Sequence, residues 1–305
     1  MQILLHESSI QHEVADGHAE RPARISHVLN HLESTGISRT IPLVQAPSAT
    51  AAEITRAHPS DYVGYLESQQ PEHGLVALDP DTWMGKHSMK AALYAAGAAC
   101  QGVRDALQGT HAKSFCLVRP PGHHAESDAA MGFCLLNSIA IAAKSALQSP
   151  AINRVAILDF DVHHGNGTVE IFQDQPEVLV CSSFQHPFYP HRFFISDWPN
   201  IINTPLRQGS DGEAFRRAIS EQWLPAIEKH RPDLILVSAG FDAHHADPLA
   251  GLNLSKEDFS WVTSLIVELA GRYAQGRVVS ILEGGYDLDA LAECVTAHLE
   301  VLAGS

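Results

Sequence analysis

The sequence is poor in cysteine and positive charge, and it has no long hydrophobic run. Its five cysteines are an odd number without a Cys-x-x-Cys pair (Cys100, Cys116, Cys134, Cys181 and Cys294). We therefore expect buried free thiols in a reducing compartment rather than a disulfide framework. No apolar run approaches the ~20 residues that cross a bilayer, and Met1–Glu7 lacks the features of a signal peptide. These absences predict a cytoplasmic protein outside the membrane.

Positive charge is scarce relative to negative charge. The chain has 20 Lys and Arg against 35 Asp and Glu, a net charge of −15. That balance excludes a general nucleic-acid binder, which must neutralise phosphates, and favours a cationic partner. Histidine is abundant instead, with 19 residues, which suggests metal or proton chemistry.

The 305 residues could form two domains. However, the chain contains no low-complexity linker, charge block or repeat, so we predict one domain spanning 1–305. Short apolar runs fall at 2–5, 41–45, 113–118, 154–160, 178–183, 233–239 and 277–282. Amphipathic stretches fall near 22–35, 86–108, 136–148, 211–229, 255–274 and 287–302. Runs that are apolar on both faces are typical of parallel strands between helices. The pattern predicts an α/β fold with a mostly parallel central sheet of about eight strands flanked by helices.

Polar, glycine-rich segments follow four of these runs. They read RPPGHH at 119–124, DFDVHHGNGT at 159–168, SAGFDAHHADPL at 238–249 and EGGY at 283–286. In open α/β sheets, ligands bind beyond the carboxyl ends of the strands. We therefore expect these four segments to converge on one site.

The second segment carries the clearest chemistry. In an extended chain, Asp159, Asp161 and His163 face the same side, because alternate residues do. Two carboxylates and an imidazole at one point favour a bound cation, and this donor set suits a divalent metal such as Zn²⁺. A helix N-cap formed by Asp161 or Asn166 is the alternative, but it accounts for only one acid.

A further metal ligand could come from the third segment. Asp247 is the first candidate, although an acid before a proline is also a common turn residue. Asp242, His244 and His245 compete with it, and spacing alone does not rank the four.

The tandem histidines and Tyr286 are candidate catalytic groups. His123 or His124 could act as a general base, although paired loop histidines are often ordinary. Tyr286 could donate a hydrogen bond to a developing oxyanion, or it could be a core tyrosine. Phe133 and Tyr189 could line an apolar channel or belong to the core.

Together these segments resemble the zinc-dependent histone deacetylase family, which has the arginase/deacetylase fold, in its class II-like bacterial-type amidohydrolase form. The resemblance rests on RPPGHHA at 119–125, GFC at 132–134, DFDVHHGNGT at 159–168, SAGFDAHHADPL at 238–249 and EGGY at 283–286, with weaker similarity at 18–24. It implies one Zn²⁺ per chain, bound by Asp161, His163 and Asp247.

The resemblance also implies a mechanism of metal-assisted amide hydrolysis. His124 would be the general base, His123 would orient and stabilise charge, and Tyr286 would donate to the oxyanion. Asp159 would accept a hydrogen bond from His123, and Asn166 would accept one from His124.

For substrate, the resemblance implies an acyl-lysine peptide or protein. The residues placed at the substrate are Gly132, Phe133 and Tyr189 of an apolar tunnel, Asp81 on the rim, Leu249, Gly285 and Arg24, the last in a pocket for the released acid. Members specific for polyamines carry glutamate where this chain has Leu249, so an acetylpolyamine or other small amide is the second candidate.

Further expectations stay open at the sequence level. K⁺ is possible as a structural ion near the carbonyls of 159, 161, 163, 182 and 183, and a homo-oligomer is possible. After Pro190, many relatives continue Gly-Thr-Gly, whereas this chain has the aromatic segment 191–198, which either reshapes the mouth of the site or forms an ordinary surface or subunit contact. A ureohydrolase of the same fold and a non-catalytic acyl-lysine reader are the remaining alternatives.

Overall fold

A computed structural model describes residues 1–195 and 197–304. Over these residues the strands are β1 (Gln2–Leu5), β2 (Leu43–Gln45), β3 (Leu75–Ala77), β4 (Trp83–Gly85), β5 (Lys113–Leu117), β6 (Val155–Asp159), β7 (Val178–Gln185), β8 (Ile201–Leu206), β9 (Leu234–Ala239) and β10 (Val278–Leu282). The helices over the same residues are α1 (Ser8–Gln11), α2 (Ala23–Ser34), α3 (Ile37–Thr40), α4 (Ala51–Ile54), α5 (Ser60–Gln69), α6 (Ser88–Gln108), α7 (Ser138–Ala146), α8 (Asn166–Phe172), α9 (Gly212–His230), α10 (Lys256–Tyr273) and α11 (Leu288–Ala303).

Eight of the strands form one sheet in the order β2-β1-β5-β10-β9-β6-β7-β8, and every pairing in it is parallel. The other two, β3 and β4, form a small antiparallel hairpin. The predicted α/β fold with a parallel sheet of about eight strands is therefore confirmed. That one domain spans 1–305 stays a prediction.

Helices cover both faces of the sheet, as the fully apolar strands require. Along β6, Ala156 and Leu158 pack into the core shared with α2, α9, α10 and α11. Val155 and Ile157 point the other way, into the core shared with α6, α7 and α8. Every residue of β6 is buried, which explains the continuous apolar run in the sequence.

The sequence pattern misses β8, since Asn203, Thr204 and Pro205 interrupt its apolar character. Among the described strands, β8 lies at the edge of the sheet and pairs with β7 alone, so proline is tolerated there.

Two findings bear on the predictions about cysteines and about membrane-spanning segments. All five cysteines are free and buried. Among the helices of residues 1–195 and 197–304, none is long and apolar enough to cross a membrane.

Candidate active site

The four polar segments meet at one edge of the sheet because β5, β6, β9 and β10 run parallel. Glu283, the first residue after β10, links three of them. Its Oε2 accepts hydrogen bonds from the backbone N–H of Gly122 (2.7 Å) and His123 (3.2 Å), and its Oε1 accepts one from the Ser238 hydroxyl (3.1 Å). Burial raises the pKa of Glu283 to about 7, against the opposing effect of His123. This buried carboxylate fixes the turn that carries the tandem histidines. The EGGY motif alone does not predict this role for Glu283.

The two tandem histidines have different partners and different electrostatics. Nδ1 of His123 donates to Oδ2 of Asp159 (2.9 Å), and Nδ1 of His124 donates to Oδ1 of Asn166 (2.7 Å). Burial disfavours charge on both rings, but Asp159 and neighbouring acids raise the pKa of His123 well above its usual value. Burial and the neighbouring His123 lower the pKa of His124 well below its usual value. One ring therefore favours the cationic form, whereas the other favours the neutral form, in which one ring nitrogen keeps its lone pair.

Asp161 and His163 come together with Asp242 at the bottom of the site. One ligand atom from each of these three buried residues lies within 4.8 Å of the others. Nδ1 of His163 lies 3.1 Å from Oδ1 of Asp161 and 3.2 Å from Oδ2 of Asp242. That Oδ2 is buried and has no hydrogen-bond partner among the described residues. Burial, reinforced by the negative charge of Asp161, raises the pKa of Asp242 to about 7. An orphaned buried oxygen beside a second carboxylate and an imidazole fits a divalent cation.

Two glycines make room for these carboxylates. A Cβ at Gly240 would lie 2.1 Å from Oδ2 of Asp161, and one at Gly284 would lie 2.0 Å from Oδ2 of Asp242. Neither position can therefore carry a side chain without displacing a metal-capable group.

Asp247, the third ligand expected from the resemblance, lies beside this cluster rather than in it. Its Oδ1 accepts from the backbone N–H of Leu249 (2.9 Å) and its Oδ2 from that of Tyr286 (2.7 Å). Burial raises the pKa of Asp247, against these hydrogen bonds and the nearby His163. Of its three competitors, Asp242 joins Asp161 and His163. His244 and His245 lie outside the cluster, and their rings contact each other at a tilt of 35° with centroids 4.2 Å apart.

Above the metal-capable cluster lies a cavity of about 230 Å³. It is lined by Asp81, His124, Gly132, Phe133, His163, Tyr189, Leu249 and Tyr286. Tyr189 packs edge-on to His124 at 5.2 Å between ring centroids, and Phe133 packs edge-on to Tyr286 at 6.0 Å. Burial raises the pKa of Asp81 to about 6, assisted by the neighbouring Asp79. The structure thus gathers most of the residues expected to contact substrate.

Arg24 and Gly285 lie behind the wall of this cavity. Arg24 donates to the carbonyl oxygens of Gly285 (2.7 Å) and Glu283 (2.5 Å), and its guanidinium lies 5.0 Å from the centroid of the Tyr286 ring. It also donates to Glu20 (3.1 Å). Arg24 therefore holds the backbone that presents Tyr286.

The fully buried Glu20 is shared by Arg24 and Arg119. Burial pushes the pKa of Glu20 upward, but the two arginines bring it down to about 2. We expect Glu20→Gln to lower the free energy of unfolding by about 3–5 kcal/mol, because it leaves buried cationic charge uncompensated. Thermal and denaturant unfolding measure this.

The matched control is Glu268→Gln, which weakens an i,i+4 pair with the 49% exposed Arg272. That change is expected to cost less than about 1 kcal/mol. Equal losses in the two variants would show that the Glu20 cluster adds nothing beyond an ordinary ion pair.

Comparison with known proteins gives a consistent result. A family model described as the histone deacetylase domain matches residues 18–302. A histone deacetylase-like amidohydrolase of Pseudomonas aeruginosa is 35% identical over 97% of this chain and 79% of its own length. A probable deacetylase of Archaeoglobus fulgidus is 33% identical over 94% of this chain and 81% of its own. The crystal structure of the HDA15 HD domain superposes with a TM-score of 0.93 at 32% identity, covering 100% of this chain and 88% of that one.

Proposed function

The chain belongs to the histone deacetylase family, and we propose that it is a zinc-dependent deacylase that hydrolyses the amide of acylated lysine side chains in peptides or proteins. Membership establishes a hydrolase of the deacetylase and amidohydrolase type, and the lysine substrate is the further step. The observation that carries it is the cavity of about 230 Å³, which has aromatic walls and ends at His124, His163 and Tyr286. Such a space suits an aliphatic stem with an amide at its tip.

Asp161, His163 and Asp242 would hold the zinc, because their ligand atoms lie together and Oδ2 of Asp242 has no hydrogen-bond partner among the described residues. Asp247, the third ligand that the resemblance implies, would instead add negative charge beside them, since both of its oxygens accept backbone hydrogen bonds. Bound there, zinc would supply a Lewis acid for the acyl carbonyl and make water nucleophilic near neutral pH.

His124 would accept the proton of the attacking water at Nε2, since its Nδ1 already donates to Asn166. The same nitrogen would then deliver a proton to the departing amine. His123, whose Nδ1 donates to Asp159, would remain cationic and stabilise negative charge. The Tyr286 hydroxyl would donate to the oxyanion as it develops.

The remaining residues would bind and orient the substrate. Phe133 and Tyr189 would flank the lysine stem, and Gly132 would let the backbone approach it closely. Asp81, half-buried on the rim, would accept a hydrogen bond from the substrate backbone. Arg24 would act through Gly285 and Tyr286, whose backbone and ring it contacts. The resemblance would in addition place it at a pocket for the released acid.

Two further proposals concern ions and location. A structural K⁺ would be held by backbone carbonyls near Asp159 and Ser182, and the buried, unpartnered hydroxyl of Ser182 is compatible with an additional ligand there. Free buried cysteines favour a reducing compartment, so we place the protein in the cytoplasm.

Substrate class is tested by comparing kcat/KM for an acetyl-lysine peptide and for acetylspermidine. We expect the peptide to be preferred, because Leu249 places no negative charge at the cavity to bind a second amine. Leu249→Glu should shift the ratio toward acetylspermidine by about tenfold, the size of one added charge pair.

Leu249→Gln is the matched control, since it adds polarity and length without charge. A wild-type preference for acetylspermidine would replace the lysine proposal with a polyamine amidohydrolase. Tight peptide binding without turnover in zinc-loaded protein would instead indicate an acyl-lysine reader.

A further inference from the structure

A buried carboxylate two residues after His124 contacts the partner of that histidine. We propose that Glu126 is a positioning residue that fixes the ring tautomer of His124 through the side-chain amide of Asn166. The inference rests on the proposed role of His124 as the general base. It extends the machinery beyond the tandem histidines and the residues that contact them directly.

The side chain of Asn166 is fully buried. Its amide oxygen faces a hydrogen-bond donor and its amide nitrogen faces acceptors. Its Oδ1 faces the Nδ1 of His124 at 2.7 Å. Its Nδ2 donates to Oε1 of Glu126 at 2.8 Å, and it also lies near the sulfur of Met131 (3.2 Å) and the carbonyl oxygen of His124 (3.3 Å). Glu126 supplies the shortest and the only charged acceptor of these three.

An asparagine amide, unlike a carboxylate, has two different ends. An ionised glutamate is an acceptor only, so just the NH₂ end of Asn166 can face Glu126. The oxygen must then face His124, whose Nδ1 must carry the proton, and Nε2 keeps its lone pair for the water. A flipped amide would reverse the tautomer and leave Nε2 protonated. Where an asparagine enforces the wrong histidine tautomer in serine proteases, kcat falls about 10⁴-fold.

Arg192 connects this arrangement to the mouth of the cavity. Its Nη1 donates to the same Oε1 of Glu126 at 2.6 Å, with the arginine side chain 49% exposed and the glutamate 12% exposed. Arg192 follows Pro190 in the segment 191–198, of which Ser196 lies outside the described residues. The positive charge of Arg192 compensates the charge of Glu126. Because arginine only donates hydrogen bonds, it also keeps an oxygen acceptor at this position.

A double-mutant cycle tests the proposal with conservative changes. In Glu126→Gln the new amide is itself oriented by Arg192, because the guanidinium only donates and can therefore pair only with the amide oxygen. In Arg192→Ala the carboxylate is still an acceptor only. Each single change is therefore expected to lower kcat less than about threefold. In the double variant the Asn166 amide is free to flip, so kcat should fall at least about tenfold while KM stays within about twofold of wild type.

The control cycle uses the pair Arg272 and Glu268, whose arginine is also 49% exposed. Arg272→Ala and Glu268→Gln should be additive and should not alter kcat. Additive effects in the Glu126 and Arg192 cycle would overturn the proposal.

Adding Asn166→Asp to the double variant separates orientation from general damage. Aspartate accepts through either oxygen, so it needs no orienting partner, and kcat should return to within about threefold of wild type. Failure of this rescue would mean that the loss in the double variant is structural, which also overturns the proposal.

A spectroscopic measurement tests the tautomer without requiring turnover. Ring ¹⁵N shifts in the metal-replete protein, assigned by their loss in His124→Ala, should show an Nδ1-protonated ring in wild type and a mixture in the double variant. An unchanged tautomer would refute the role of Glu126. If the wild type hydrolyses no amide, the proposed function fails, but this measurement still decides the tautomer.

Discussion

Stripping the metal from the purified protein is expected to reduce its release of acid from an acetyl-lysine peptide by at least about 1000-fold, and Zn²⁺ should restore it. The loss is large because both the carbonyl and the attacking water depend on the ion. It is measured by acid release before chelation, after chelation and after return of one Zn²⁺ per chain, with metal content determined by elemental analysis. Thermal unfolding after chelation serves as the control for an intact fold. Full activity in folded protein without metal would contradict the zinc proposal.

Three ligand variants sharpen this result, because metal affinity can be measured without turnover. Asp161→Ala and Asp242→Ala should each weaken zinc binding more than about 100-fold, whereas Asp247→Ala should cost no more than the 10–100-fold typical of an outer partner. The reverse order for Asp242 and Asp247 would make Asp247 the third ligand. That outcome would agree with the resemblance rather than with the cluster of Asp161, His163 and Asp242 and would leave the proposed chemistry intact.

His124→Ala is expected to lower kcat by about 10²–10⁴-fold with little change in zinc affinity, because it removes the group proposed to accept and return the proton. Tyr286→Phe should lower kcat by about 10²–10³-fold, as expected when one oxyanion donor is lost. Both are measured as steady-state rates in protein with confirmed zinc content. KM should change much less than kcat, since these interactions strengthen in the transition state.

His244→Ala is the matched histidine control. This half-buried ring lies outside the metal-capable cluster and its Nδ1 accepts from the backbone N–H of Ala246. We expect its kcat to stay within about threefold of wild type, the range of a surface substitution. A loss as large as that of His124→Ala would show that the assignment of the general base to His124 is wrong.

Much of the fold is predictable because buried parallel strands have a strong sequence signature. Seven apolar runs match β1, β2, β5, β6, β7, β9 and β10 within a few residues. The strand β8 is missed because its position depends on hydrogen bonds to β7 rather than on its own apolar pattern. The short hairpin of β3 and β4 likewise has no long apolar run.

The site is predictable as a meeting of segments, but not in its contacts. Glu283 accepts a hydrogen bond from Gly122, 161 residues away in the sequence. Arg192 donates one to Glu126, 66 residues away. No spacing rule reaches such pairs, because they depend on how the strands are ordered in the sheet. The ranking of Asp242 and Asp247 is a similar case, since both follow β9 and only the packed loop separates them.

The position of β10 has a consequence for how the protein matures. Of the strands in residues 1–195 and 197–304, it comes last in sequence, yet it lies between β5 and β9. Until it inserts, β1, β2 and β5 form one fragment of sheet and β6 to β9 another, each with an open edge. The residues after β10 are also those that bind the histidine turn and carry Tyr286. We therefore expect activity to return only after β10 has joined the two fragments, so that regained activity would report completed folding rather than partial order.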